Sequence, residues 1–209
     1  MATSLAQENI LRKIRQALSN PVPLPFSQSE GSADVFKNQK EDDAILFAET
    51  FSKLQGNFSF CHNEFDLAKQ LTELIHLRSW KNIYCKEKKY VSLLQMIHHQ
   101  TYPDLSTCDV SITGCEYLVA RTGTIVMSTA QESGRTTSVY APIHICIAST
   151  SQLVYDLKDS LTFLKQKYNH NFPSLITFAS GPSRTADIEK TLVTGVHGPK
   201  EVFCFLVDG

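Results

Sequence analysis

The sequence predicts an α/β domain on a mostly parallel sheet, with a helical arm ahead of it. Short apolar runs recur between stretches of helical spacing, the pattern of strand–helix–strand crossovers. Runs such as "IYC", "HICIA" and "VFCFLV" are continuous rather than alternating, as in strands covered on both faces. Ahead of them, residues 20–35 read "NPVPLPFSQSEGSADV", where prolines at alternate positions forbid a helix.

Taken in order, residues 4–19 place Ile10, Leu11, Ile14 and Leu18 on one face of a helix. Residues 1–19 are therefore an amphipathic helix, tethered by the Pro- and Ser-rich linker 20–40. Such an arm either packs on its own domain or reaches a neighbouring subunit. The α/β domain occupies 41–209. Within it, 41–55 predict a helix, "NFSFC" a strand, and 66–78 a helix with Leu67, Leu71, Leu74 and Ile75 on one face. "KNIYC" is a strand, 88–100 a helix, "CDVSIT" a strand and "GCEYLVA" a short helix. "GTIVMST" and "PIHICIA" are strands, and 151–168 is a helix. The strands "SLITFAS" and "EVFCFLV" close the chain around a short helix, "TADIEKTLV".

With 209 residues, 42% of them hydrophobic, the chain is long enough to bury a core without staples. Its net charge of -1 lacks the basic footprint of a nucleic-acid binder. No apolar run approaches the roughly 18 residues of a membrane span. The first twenty residues lack the apolar core of a secretory signal. Six cysteines, none spaced C-x-x-C and several inside apolar runs, read as reduced, buried thiols of a cytoplasmic protein. Iron–sulfur clusters and structural zinc need clustered thiolates, so neither cofactor is expected in this chain. The fingerprints of dinucleotide and Walker-type phosphate sites are missing from the sequence.

In open α/β sheets ligands sit outside the carboxyl ends of strands, which directs attention to the loops. In "SGPSRTADIE", Gly181 permits a tight turn, and Ser183 and Thr185 can cap the helix predicted at 185–193. Arg184, beside that helix's free N–H groups, can clamp a carboxylate or phosphate. Asp187 and Glu189 fall in the first turn, either as capping acids or as acid–base candidates. In "VTGVHGPKE", Gly195 and Gly198 bracket His197, a residue type suited to proton transfer, and Lys200 adds a cation. Thr122, Gly123 and Thr124 open a strand, as a plain turn or as hydroxyls facing the site. The polar stretch "QESGRTTSVYAP", 131–142, has the length of a binding loop or lid and includes Arg135.

The string "GPSRTADIEKTLVTGVHGPKE", with "RTGTIV" and "PIHICIA" in order upstream, resembles the lactate-utilisation protein C family, whose shared module is the LUD domain. The resemblance runs from about residue 57 to the end, and the helical arm with its linker is similar too. It implies a three-layer α/β/α fold with a mostly parallel open sheet, like that of the NagB/RpiA/CoA-transferase group. It implies a component of a bacterial three-part system that oxidises L-lactate to pyruvate, whose two companion subunits carry the iron–sulfur clusters. Its implied partners are those companions and a small anion: lactate, pyruvate or phosphate. Family members often have an acid just before Thr-Gly-Thr, where this chain has Arg121. Two other readings stay open. One is a stand-alone enzyme on a sugar phosphate or acyl-CoA, with Glu116, Asp187 or Glu189 as nucleophile or base. The other is a non-catalytic assembly subunit.

Overall fold

The computed structural model describes residues 5–19, 42–188, 191–195 and 197–209. The expected linker, 20–40, and Glu189 lie outside them. The chain divides into two compact units, Met1–Gln39 and Lys40–Gly209. In the first, α1 (Leu5–Ser19) is the helix that the apolar spacing predicts. The second opens with α2 (Asp43–Lys53), β1 (Asn57–Cys61), α3 (Glu64–Arg78), β2 (Ile83–Cys85) and α4 (Lys88–Met96). It continues through β3 (Val110–Thr113), β4 (Tyr117–Val119), β5 (Thr124–Ser128), α5 (Thr137–Tyr140), β6 (Ile143–Ser149) and β7 (Leu153–Val154). It ends with α6 (Leu157–Tyr168), β8 (Ile176–Ala179), β9 (Arg184–Ile188), β10 (Thr191–Thr194) and β11 (Glu201–Val207).

Local signals set the helix starts. Asp42, Asn63 and Asp156 each accept a backbone N–H of the first turn, from Ala44, Asp66 and Lys158. α3 stops at Ser79, whose φ of 56° closes the helix in the left-handed region.

Five strands form a wholly parallel sheet in the order β1-β11-β6-β3-β2. The α/β class and the parallel sheet are as the sequence predicts. β11 lies between β1 and β6, so the last strand of the chain occupies the interior of the sheet. On one face, Leu67, Leu71 and Leu94 of α3 and α4 pack on Ile112, Ile145 and Phe205. The other face, carrying Cys146, Cys204 and Leu206, is covered by Phe47 and Phe51 of α2 and by Leu118, Ile125 and Met127. These last three belong to a second, mixed sheet of order β7-β4-β5-β8, which Leu164 of α6 backs through Val119 and Val126.

The sequence reading did not separate this smaller sheet, and two of its short helices are strands. "GCEYLVA" supplies β4, which pairs antiparallel with β5. Leu118 faces α2 and Val119 faces α6, so both faces of the segment are apolar for reasons unrelated to helical spacing. "TADIEKTLV" is a hairpin of β9 and β10, pairing Thr191 with Ile188 and Thr194 with Arg184. Its Thr, Ile and Val content favours strands over a helix. Residues 151–168 also divide, into β7 and α6. Among the described residues no helix is long and apolar enough to cross a membrane.

Candidate functional site

Two bends meet at the edge of the second sheet. The first leaves the carboxyl end of β8 and runs through Gly181 to Ser183. The second, at 197–199, leads into β11. The Ser183 N–H donates to the Pro199 carbonyl at 2.9 Å, and the Gly195 N–H donates to the Ser183 carbonyl at 3.0 Å. Glycine is required for this closeness. A Cβ on Gly198 would stand 2.8 Å from the Ser183 Cβ. Gly181 has a φ of +83°, and a Cβ there would meet the Leu54 carbonyl oxygen at 2.5 Å.

The bends enclose one side of a cavity of about 250 Å³, lined by His144, His197, Ser138, Ser183, Met127 and Val202 among others. It lies at the amino ends of β6 and β11, not at the carboxyl ends that open α/β sheets generally use. The smaller sheet accounts for the difference, because the bend that follows β8 delivers its polar groups to that opposite end. His144 is 1% exposed, and burial depresses its pKa to about 4, which keeps the imidazole neutral. Its Nε2 lies 2.8 Å from the Thr113 hydroxyl.

The remaining predicted residues scatter around this cavity. Arg184 turns away from it and donates from Nη2 to the Leu54 carbonyl at 2.6 Å. The helix whose N–H groups were expected to share an anion with Arg184 is the β9–β10 hairpin, so that anion clamp is not assembled. Lys200 is exposed, its N–H donates to the Pro142 carbonyl at 2.7 Å, and its side chain lies against the Gly195 turn. Thr185 and Asp187 belong to β9, where the structure describes their backbone and not their side chains. Thr122 and Gly123 lie in a turn packed against α2. The Thr124 hydroxyl lies 2.7 Å from those of both Thr122 and Ser180, which ties this turn to the first bend.

Sequence reasoning missed His144, which sits inside an apolar strand. Of the polar stretch 131–142, Ser138 and Val139 line the cavity, while Arg135 binds the Ser174 hydroxyl elsewhere. Glu116 is fully engaged. Its Oε1 accepts from Ser128 at 2.5 Å and from Tyr168 at 2.7 Å, and its Oε2 pairs with Lys167 at 2.8 Å. Burial alone would raise the Glu116 pKa, but the hydrogen bonds from Lys167, Ser128 and Tyr168 hold it below the ordinary value. Arg121 pairs with Asp156 at 2.5 Å. Among the described residues, no three His, Cys, Asp or Glu side chains are grouped to hold a metal ion.

A second cavity, about 530 Å³, opens at the carboxyl ends of β6 and β11 between α3 and α4. Leu67, Ala68, Leu93 and Ile147 make its floor largely apolar, and the exposed Glu64–Lys89 pair at 3.6 Å stands at its rim. It contains none of the candidate catalytic or ligand-binding residues of the sequence.

The LUD domain model matches residues 27–207. An uncharacterized protein of Neisseria meningitidis is 35% identical over 94 residues, 45% of this chain and 40% of the relative. Lactate utilization protein C of Halalkalibacterium halodurans is 39% identical over 101 residues, 47% of this chain and 44% of the relative. Lactate utilization protein C of Bacillus subtilis is 35% identical over 101 residues, 47% and 42% of the two chains. In each case the match spans less than half of the relative's own length. Among solved structures, a DUF162 family protein from Deinococcus radiodurans superposes with a TM-score of 0.59 at 16% identity, over 80% of this chain and 99% of that one. At that identity the likeness speaks for the fold.

Proposed function

This chain belongs to the LUD domain family, and from that premise we propose that it serves lactate utilisation. It is the subunit without iron–sulfur clusters in a system that oxidises L-lactate to pyruvate, and it holds a small hydroxy acid in the cavity between the two bends. The observation that carries this reading is the convergence of 177–183 and 197–199 on one cavity that holds both polar and apolar side chains, within the segment that resembles lactate utilization protein C. Its volume of about 250 Å³ lies below the roughly 300–1,000 Å³ of sites for drug-sized ligands. A three-carbon acid suits that space better than a sugar phosphate or an acyl-CoA.

The residues divide the work by position. His197, exposed at the cavity, offers a ring N–H as donor to the carboxylate. Ser183 and Ser138 offer hydroxyls. His144 supplies a neutral polar edge at the buried end. Iron–sulfur clusters of the companion subunits, the proposed partners in the cytoplasm, would supply the electron acceptor.

The test is complementation. A strain lacking the gene is supplied with His197→Ala or Ser183→Ala and grown on L-lactate as sole carbon source. Loss of growth on lactate, with growth on glucose intact, is expected. Full growth with both variants would sink the proposal and leave an assembly role.

A further inference from the structure

The helix ahead of the α/β domain carries a pattern that the cavity does not use. Every side chain of α1 from 8 to 16 is exposed. Ile10, Leu11 and Ile14 are 59%, 39% and 48% exposed, and they span an arc of about 100° on one side of the helix. An isolated helix of 15 residues is marginal in water, and burial of its apolar face ordinarily supplies the missing stability. The stripe on α1 therefore needs a surface that covers it.

The charges say what kind of surface. The helix has three cations, Arg12, Lys13 and Arg15, against one acid, Glu8. Glu8 lies in the first turn, where the helix dipole favours an acid. The dipole does not account for the cations, because the last turn holds no basic residue. Their placement around the helix does. Lys13 and Arg15 stand about 100° to either side of Ile14, on the two borders of the stripe. Arg12 is on the far side, where its Nη2 donates to Asn9 Oδ1 at 3.0 Å. Cations on both borders can lay their aliphatic stems along an apolar layer and lift their charges to an anionic rim. A flat layer, apolar in depth and negative at its surface, meets both borders at once. A protein groove would need acids on both of its walls at matching heights. The whole chain has a net charge of -1, so such an attraction belongs to this helix and not to the general field of the molecule.

We propose that α1 is a reversible anchor that lies in the interface of an anionic lipid bilayer. Ile10, Leu11 and Ile14 enter below the headgroups, and Lys13 and Arg15 sit among the phosphates. Neither signal suffices alone. Even a whole acyl chain gives only marginal binding, and stable attachment takes a second signal. Each cation close to an anionic surface contributes about fivefold to partitioning. Attachment therefore depends on lipid charge and on ionic strength, and it needs no membrane-spanning helix.

The experiment co-sediments the full chain with vesicles of phosphatidylcholine alone and of an equal mixture with phosphatidylglycerol. The chain is expected to bind the mixed vesicles and to leave the neutral ones in solution. Partitioning onto the mixed vesicles is expected to weaken about thirtyfold in the double variant Lys13→Gln, Arg15→Gln. It is also expected to vanish in about 1 M salt, where charge is screened within roughly 3 Å. Ile14→Asp is expected to abolish binding, with the urea unfolding of the α/β domain unchanged as the control for folding. Ile14→Trp keeps the stripe apolar and reports its depth. Its emission is expected to shift to the blue and to be quenched by lipids brominated in the acyl chains, against a constant background from Trp80, which is 8% exposed. Absence of binding to the mixed vesicles at millimolar lipid overturns the proposal. In that event a change from dimer to monomer on Ile14→Asp would assign the stripe to a second copy of the chain. Binding that survives Ile14→Asp, or Ile14→Trp emission that ignores the vesicles, also overturns it, because charge on another face would then hold the protein to the surface.

Discussion

The Ser183 amide and the Pro199 carbonyl, sixteen positions apart, are joined by a 2.9 Å hydrogen bond that brings the two glycine-bearing bends onto one cavity. Beside it, Gly198 leaves no room for a side chain against Ser183. Gly198→Val is accordingly expected to lower stability by about 1–3 kcal/mol, the usual cost of overpacking. It should also abolish the response to L-lactate, because it forces the bends apart. Urea unfolding together with a lactate titration checks both, and a stable variant with undiminished binding would contradict the arrangement.

His144 makes stability depend on pH in a defined window. Its pKa is about 4 when folded against 6.5 for the ordinary side chain, through burial alone. Between those values the unfolded chain holds a proton at this position that the folded chain does not. Stability therefore falls as pH drops from 6.5 towards 4, by up to about 3 kcal/mol at 1.36 kcal/mol per unit. Chemical denaturation at a series of pH values should show this slope in the parent protein and a flatter one in His144→Gln.

Lys167 is half exposed, yet it answers a carboxylate whose side chain is 1% exposed. Lys167→Met leaves Glu116 with two neutral donors and should cost about 1–3 kcal/mol at neutral pH. Glu116 has a depressed pKa, so its contribution is present above the ordinary value of 4.5 and disappears as pH falls through the folded value. The gap between the parent protein and Lys167→Met should close in acid, which denaturation at pH 7 and at about pH 3 would reveal.

All six cysteines are free and buried. Burial pushes the thiol of Cys61 up to about 11 and that of Cys85 to about 12. Since the thiolate is the reactive form, an aromatic disulfide reagent should react slowly with the native protein and label six thiols per chain on unfolding. Rapid labelling of any one of them in native conditions would contradict this packing.

Most strands of the parallel sheet were legible because they are short apolar runs buried on both faces, with the edge strand β1 only partly buried, and the helices because their buried residues recur at helical spacing. The bends at Gly181 and Gly198 were legible as well, since only glycine tolerates those positions. What misled was local pattern where distant partners decide. "TADIEKTLV" has acids at the spacing of a helix's first turn, but its pairing makes it a hairpin. Arg184 was assigned to an anion and instead serves the Leu54 carbonyl, 130 residues away in the chain. His144 looked like one residue of a strand, because the Thr113 hydroxyl that it bonds is 31 residues distant.

The most direct measurement is mapping of backbone amide shifts while L-lactate is titrated into the isotope-labelled full chain. The account predicts changes concentrated at residues 177–183 and 197–199, with His144 and Ser138 following. Shifts confined to the groove between α3 and α4, or none at saturating lactate, would contradict it.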